Sequence, residues 1–134
     1  MDIISTYTYT ITAIGSLAFL MLVQFLIADI AGIRSKHLPG STVAVDHKDF
    51  LFRATRSVAN TNESIAIFIL AIIFCILSNA SPLATSYAAW AFVIARFFYA
   101  LCYYFNIKVM RSIIFGISLL ALTALLMIGL LVWL

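Results

Sequence analysis

Residues 53–63 place Arg53, Arg56, Asn60 and Glu63 at intervals of three, four and three, the repeat of one face of an α-helix. Further along, Arg96, Tyr99 and Tyr103 follow the same three-then-four step, and Arg111 comes shortly after. Arginine forks clamp carboxylates through paired N–H bonds. A glutamate takes an ammonium, and an asparagine satisfies a peptide backbone. Together these residue types describe a socket for a zwitterionic, multiply charged ligand. No Ser-His-Asp arrangement, metal box or phosphate loop accompanies them. The plainer reading of Glu63 and Arg96 is a structural ion pair that fixes helix register. That reading leaves unexplained why Arg53, Arg56, Asn60, Tyr103 and Arg111 gather toward one end.

The elements that must position these groups are written in the composition. Of 134 residues, 65% are hydrophobic and 10% charged, and the mean hydropathy is +1.15. A soluble domain carries about 25% charged residues, so the solvent here is lipid. Apolar stretches fall at residues 11–30, 64–77, 88–105 and 113–134. A bilayer core of about 30 Å needs about 20 helical residues. The second stretch is too short alone, and becomes long enough if its helix starts near His47 and carries the polar residues into the membrane. The Pro39-Gly40 turn sets the earliest start for that helix. Short connections imply antiparallel neighbours, so residues 1–134 are expected to form one domain, an all-α bundle of four transmembrane helices.

Lysine and arginine fix the orientation. The first connection holds Arg34, Lys36, Lys48, Arg53 and Arg56, and the third holds Lys108 and Arg111. Those two connections are expected to face the cytoplasm, with both termini on the other side. Tyr7, Tyr9, Tyr87, Trp90 and Trp133 then form a belt at the outer interface. Lys36, Lys48 and Lys108 read as ordinary positive-inside residues meeting anionic headgroups; Arg34 reads equally well as that or as part of the socket. The basic residues fall in two connections, not along one surface, so the pI near 9.1 is no nucleic-acid signal. Cys75 and Cys102 lie in apolar runs as packing residues, with neither a disulfide framework nor a zinc site indicated. His37 and His47 are expected to be solvated. The N-terminus lacks a basic n-region, so the first span is not read as a cleaved signal.

At about 1.5 Å per residue, Glu63 lies roughly 21 Å, and Arg96 roughly 12 Å, above the outer boundary. Two long side chains bridge that difference, so Glu63 and Arg96 are within reach of pairing. A charge at the membrane centre costs about 2.5–3.5 kcal/mol, which such pairing would offset. An ion pathway through the bundle is disfavoured, because residues 80–95 carry no charge. The charges line a dead-end pocket.

"RSVANTNE" (56–63), followed by "SIAIF", resembles the Arg-x-x-x-Asn-x-x-Glu signature on helix two of the membrane-associated proteins in eicosanoid and glutathione metabolism (MAPEG). "RFFYALCY" (96–103) resembles that family's Arg-x-x-Tyr-x-x-x-Tyr on helix three, and "RS" (111–112) falls where helix four opens with a basic residue. The resemblance covers essentially the whole chain. It implies a homotrimer of four-helix bundles, similar to microsomal glutathione transferases, with glutathione as co-substrate bound between neighbouring subunits near the cytoplasmic face. Such proteins conjugate glutathione to lipophilic electrophiles, reduce lipid hydroperoxides or isomerise lipid mediators. Carried over, Arg56, Asn60 and Glu63 would hold the tripeptide's carboxylate, backbone and γ-glutamyl ammonium. Arg34 would be a further carboxylate contact, and Arg53 and Arg96 belong to the same polar set. Tyr99 and Tyr103 would pack along the ligand and donate hydrogen bonds. Arg111 would sit near the sulfur, with Ser112 as a lesser catalytic candidate.

Two departures from the family pattern stand out. Val58 occupies a position that is often His or Gln, and Ala66 and Ile67 stand where a proline often bends helix two. The reading is therefore a glutathione-dependent membrane transferase or peroxidase, placed in a bacterial inner membrane as the simplest assignment, with lipid and a lipophilic small molecule as partners. The alternative is a non-catalytic lipid-binding scaffold of the same fold. The presence of Glu63, Tyr103 and Arg111 argues against the scaffold.

Overall fold

The computed structural model describes residues 2–134. Asp49 accepts a hydrogen bond from the Leu51 N–H at 3.1 Å and caps a 28-residue helix, Phe50–Leu77. That helix is the second span, and it runs unbroken from ahead of Arg53 through the apolar tail. It begins three residues after His47, close to the start that the sequence suggests. The other elements are a single turn, α1 (Ile3–Thr6), then α2 (Thr8–Arg34), α4 (Pro82–Tyr104) and α5 (Lys108–Leu130), with Phe50–Leu77 as α3. The four long helices are each long and apolar enough to cross a membrane. Turn α1 carries no signal in the apolar pattern. Helix α4 starts six residues earlier than its apolar stretch, because Ser81 caps it and Pro82 occupies its first turn, where a missing N–H is harmless.

Each long helix but the last ends on a left-handed residue. Lys36, Asn79 and Asn106 have φ of 52°, 55° and 57°. The following N–H groups reach back to the orphan carbonyls of Gly32, Cys75 and Cys102 at 3.0, 2.9 and 2.8 Å. This is the Schellman pattern, and asparagine tolerates it better than most side chains. Between α2 and α3, Pro39 and Gly40 (φ 80°) form the expected tight turn, closed by Ser41 N–H to Leu38 carbonyl at 3.1 Å.

Helices α3 and α4 each pack against all three other long helices, so the two motif-bearing elements form the bundle's central pair. Their core seam is Phe68 on Phe92, stacked at 4.6 Å between centroids and 20° between planes. Leu17, Ile72, Leu122 and Leu125 surround it. Between apolar helices in lipid, close packing replaces the hydrophobic drive, so small residues matter at the contacts. Ala13, Ala71, Ala89 and Ala121 are buried there. A Cβ on Gly129 would fall 2.6 Å from the Phe74 ring, so α5 approaches α3 as closely as it does only because residue 129 is glycine.

The end of the bundle opposite the basic residues is tied by aromatic donors. Tyr7 Oη donates to the Ala80 carbonyl at 2.6 Å, Trp90 Nε1 to the Tyr9 carbonyl at 3.1 Å, and Trp133 Nε1 to Ser78 Oγ at 2.9 Å. The belt expected from the sequence thus shares one end, with Tyr9, Tyr87 and Trp133 exposed as interfacial residues should be.

Candidate functional site

Arg96 lies in the middle of α4 and is completely buried. Its Nη1 donates to Asn60 Oδ1 at 2.9 Å and to the Asn60 carbonyl at 3.4 Å. Three rings surround the guanidinium carbon, Tyr99 at 4.8 Å, Phe92 at 5.4 Å and Phe115 at 5.7 Å. Nε and Nη2 have no hydrogen-bond partner among the described residues. A desolvated cation on an aromatic face gains about 2 kcal/mol, and the charge is carried by these faces, not by a carboxylate.

The Glu63–Arg96 pair that the spacing allows is therefore not formed. Asn60 takes the guanidinium, and Glu63 is exposed on the surface of the chain. Three residues turn an α-helix through about 300°, leaving Glu63 roughly 60° round the axis from Asn60. Arg96 meets α3 at Asn60, three residues short of Glu63.

From Arg96 the polar set continues toward the basic end. Tyr99 and Tyr103 meet edge to face at 5.2 Å and 77°. Beyond them the Arg111 guanidinium lies over the Tyr103 ring at 4.5 Å, with Nη1 buried and unpartnered among the described residues. Asn60, Arg96, Tyr99, Tyr103 and Arg111 thus form one contiguous run across α3, α4 and the start of α5. Arg56 is half-buried and Glu63 exposed on the flank of α3 that also carries Asn60. A cation and an anion thereby remain on the outer side of this run.

The remaining candidates fall elsewhere. Arg53 is committed to the fold: Nη1 donates to the His47 and Lys48 carbonyls, each at 2.8 Å, and Nη2 to the Tyr104 carbonyl at 3.4 Å. It staples the start of α3 to the end of α4, a structural tie that the side-chain pattern does not announce. Arg34 is exposed at the last turn of α2, on the rim of a 590 Å³ groove lined by Ile27, Ile30, Phe50, Tyr104 and Phe105. Ser112 follows Arg111 on an exposed turn, and its hydroxyl leans on the Lys108 carbonyl at 3.5 Å.

Sequence reasoning passed over a second buried polar contact. Gln24 Nε2 on α2 donates to Ser57 Oγ on α3 at 3.3 Å, and Thr61 Oγ1 donates to the Ser57 carbonyl at 3.2 Å. All three residues are buried, and this contact pins α2 to the inner face of α3, behind Asn60. The signal was a lone glutamine inside the apolar run "LMLVQFLIA". Phe92 and Phe115, which complete the Arg96 cage, carried no signal beyond their apolarity. A 430 Å³ apolar cleft between α2 and α4, with Phe19, Val23, Trp90, Ile94 and Phe97 in its walls, faces what would be lipid.

No characterised protein and no solved structure matches the chain significantly. A family model does: the MAPEG family, over residues 10–131, which takes in all of the contiguous polar run and nearly all of the four long helices. The family's members include glutathione transferases and peroxidases, and four apolar helices of this kind make an integral, multi-pass membrane protein. With the matched span covering almost the whole length and the two motifs meeting in space as they do, the chain belongs to the MAPEG family.

Proposed function

We propose that the protein is a glutathione-dependent transferase or peroxidase that activates the glutathione thiol at the cytoplasmic side of the bilayer. The observation that carries this reading is the run from Asn60 to Arg111, which ends on a guanidinium with an unpartnered buried N–H. A free thiol has a pKa of about 8.5, and the thiolate is the nucleophile. A guanidinium held near the sulfur favours the anion, so neutral pH needs no separate base. In conjugation the thiolate forms a carbon–sulfur bond to the electrophile, whose leaving group departs with the electron pair. In peroxide reduction the thiolate attacks one peroxide oxygen, the O–O bond breaks and the alcohol leaves, and a second glutathione displaces water from the resulting sulfenic acid to form the disulfide.

Arg56, Asn60 and Glu63 supply a cation, a polar amide and an anion for the carboxylate, backbone and ammonium of the tripeptide. These groups sit on an outward flank of one chain, which supports a homotrimer in which a neighbouring copy closes the site and its Arg34 reaches a ligand carboxylate. Lipophilic substrates would enter sideways from the bilayer, and the basic end would face the cytoplasm of a bacterial inner membrane. Tyr99 and Tyr103 pack along the ligand, and Ser112 is a lesser partner of Arg111.

The apolar cleft between α2 and α4 favours a second reading, a lipid-binding scaffold without catalysis. Thermal unfolding of the detergent-purified protein separates the two. Reduced glutathione at about one hundred times its dissociation constant adds about 2.7 kcal/mol and is expected to raise the midpoint clearly. A midpoint that stays put at every glutathione concentration would hand the leading place to the scaffold.

A further inference from the structure

The bond between Arg96 and Asn60 decides what Asn60 can offer a ligand. A guanidinium only donates, so the atom of the Asn60 carboxamide facing it must be the oxygen. At 2.9 Å that oxygen is engaged, and the carbonyl of the same residue accepts from the same nitrogen at 3.4 Å. The amide cannot turn over without placing its NH2 group against a buried cation. We infer that Arg96 is a positioning residue which locks Asn60 as a hydrogen-bond donor, so that the half-exposed flank with Arg56 and Glu63 presents an NH2 group at its centre. The ligand atom that meets Asn60 is then an acceptor, a carbonyl or carboxylate oxygen, and never the ammonium. Arg96 itself, wholly buried, does not touch the ligand. It acts instead through Asn60 and through Tyr99, whose ring lies 4.8 Å from its guanidinium carbon.

The inference rests on the glutathione reading for the identity of the ligand. It has its own signature in the protein without ligand. Asn60→Asp keeps an oxygen toward Arg96, gives the cation an anionic partner, and replaces the outward NH2 with a second acceptor. Asn60→Leu removes both. In purified full-length protein without ligand, Asn60→Asp is expected to unfold at or above the wild-type temperature, and Asn60→Leu below it. In glutathione titrations, Asn60→Asp is expected to lose affinity by about tenfold or more, because an acceptor now faces an acceptor. Arg96→Lys, which retains one donor for Asn60 Oδ1, should keep most of the affinity that Arg96→Met loses. In Arg96→Met the loss should fall more on KM for glutathione than on kcat at saturation.

Three results overturn the inference, each at a different point. Asn60→Asp unfolding as early as Asn60→Leu would mean that the oxygen does not face Arg96. Undiminished glutathione affinity in a well-folded Asn60→Asp would mean that Asn60 donates nothing to the ligand, with the glutathione reading left standing. A wild type that ignores glutathione would remove that reading and the donor role with it.

Discussion

Arg111→Ala is expected to bind glutathione and fail to ionise it. Hydrogen bonds to charged groups contribute about 1.5–3 kcal/mol, and one pKa unit corresponds to about 1.36 kcal/mol. Removing the guanidinium should therefore raise the pKa of the bound thiol by about one to two units. At neutral pH that lowers turnover by about 10- to 100-fold, and the thiolate absorbance of the bound tripeptide falls in parallel. Arg111 also lies over Tyr103 at 4.5 Å, so Arg111→Lys tests charge against shape. It retains a cation and loses the planar stack, and should restore part of the thiolate signal. Equal thiolate signals in wild type and Arg111→Ala would remove Arg111 from the mechanism.

Glu63→Gln is the second large effect, and it belongs to binding. If Glu63 holds the ligand ammonium, losing the charge should weaken glutathione by about 10- to 100-fold. Turnover at saturation should hardly change, because the proposed site puts the sulfur toward Arg111, away from Glu63. The unfolding temperature of the unliganded protein should also hold, since Glu63 is exposed and Arg96 bonds Asn60 instead. A loss of stability with unchanged affinity would point to a structural role for Glu63.

The four spans were legible because lipid imposes a composition on whatever crosses it, and runs as apolar as residues 113–134 do not occur in chains folded in water. The polar steps on α3 and α4 were legible because helical spacing is a local property. What stayed hidden depended on how helices face each other. Counting residues put Arg96 and Glu63 within reach, yet the way α3 and α4 face each other gives the guanidinium to Asn60. Arg53 looked like one more clamp because its acceptors, the carbonyls of His47, Lys48 and Tyr104, are backbone groups that leave no mark in the side-chain pattern. Gln24 was overlooked because its partner, Ser57, lies on another helix.

The aromatic cage around Arg96 also governs the order in which the chain can be built. Helix α4 is the least apolar of the four spans and carries a cation at its centre. Entering the bilayer alone, it would bear the full charge penalty of about 2.5–3.5 kcal/mol, since two of the groups that relieve it, Asn60 and Phe115, belong to other helices. Asn60 has already been synthesised when α4 emerges, and only residues 78–81 separate α3 from α4. The two helices are thus suited to leave the insertion machinery as a hairpin, with the arginine handed from water to asparagine without a stay in lipid. Placed alone between reporter domains, α4 should insert far less completely than the α3–α4 pair. The residue that orients the site would then also set the unit of membrane insertion.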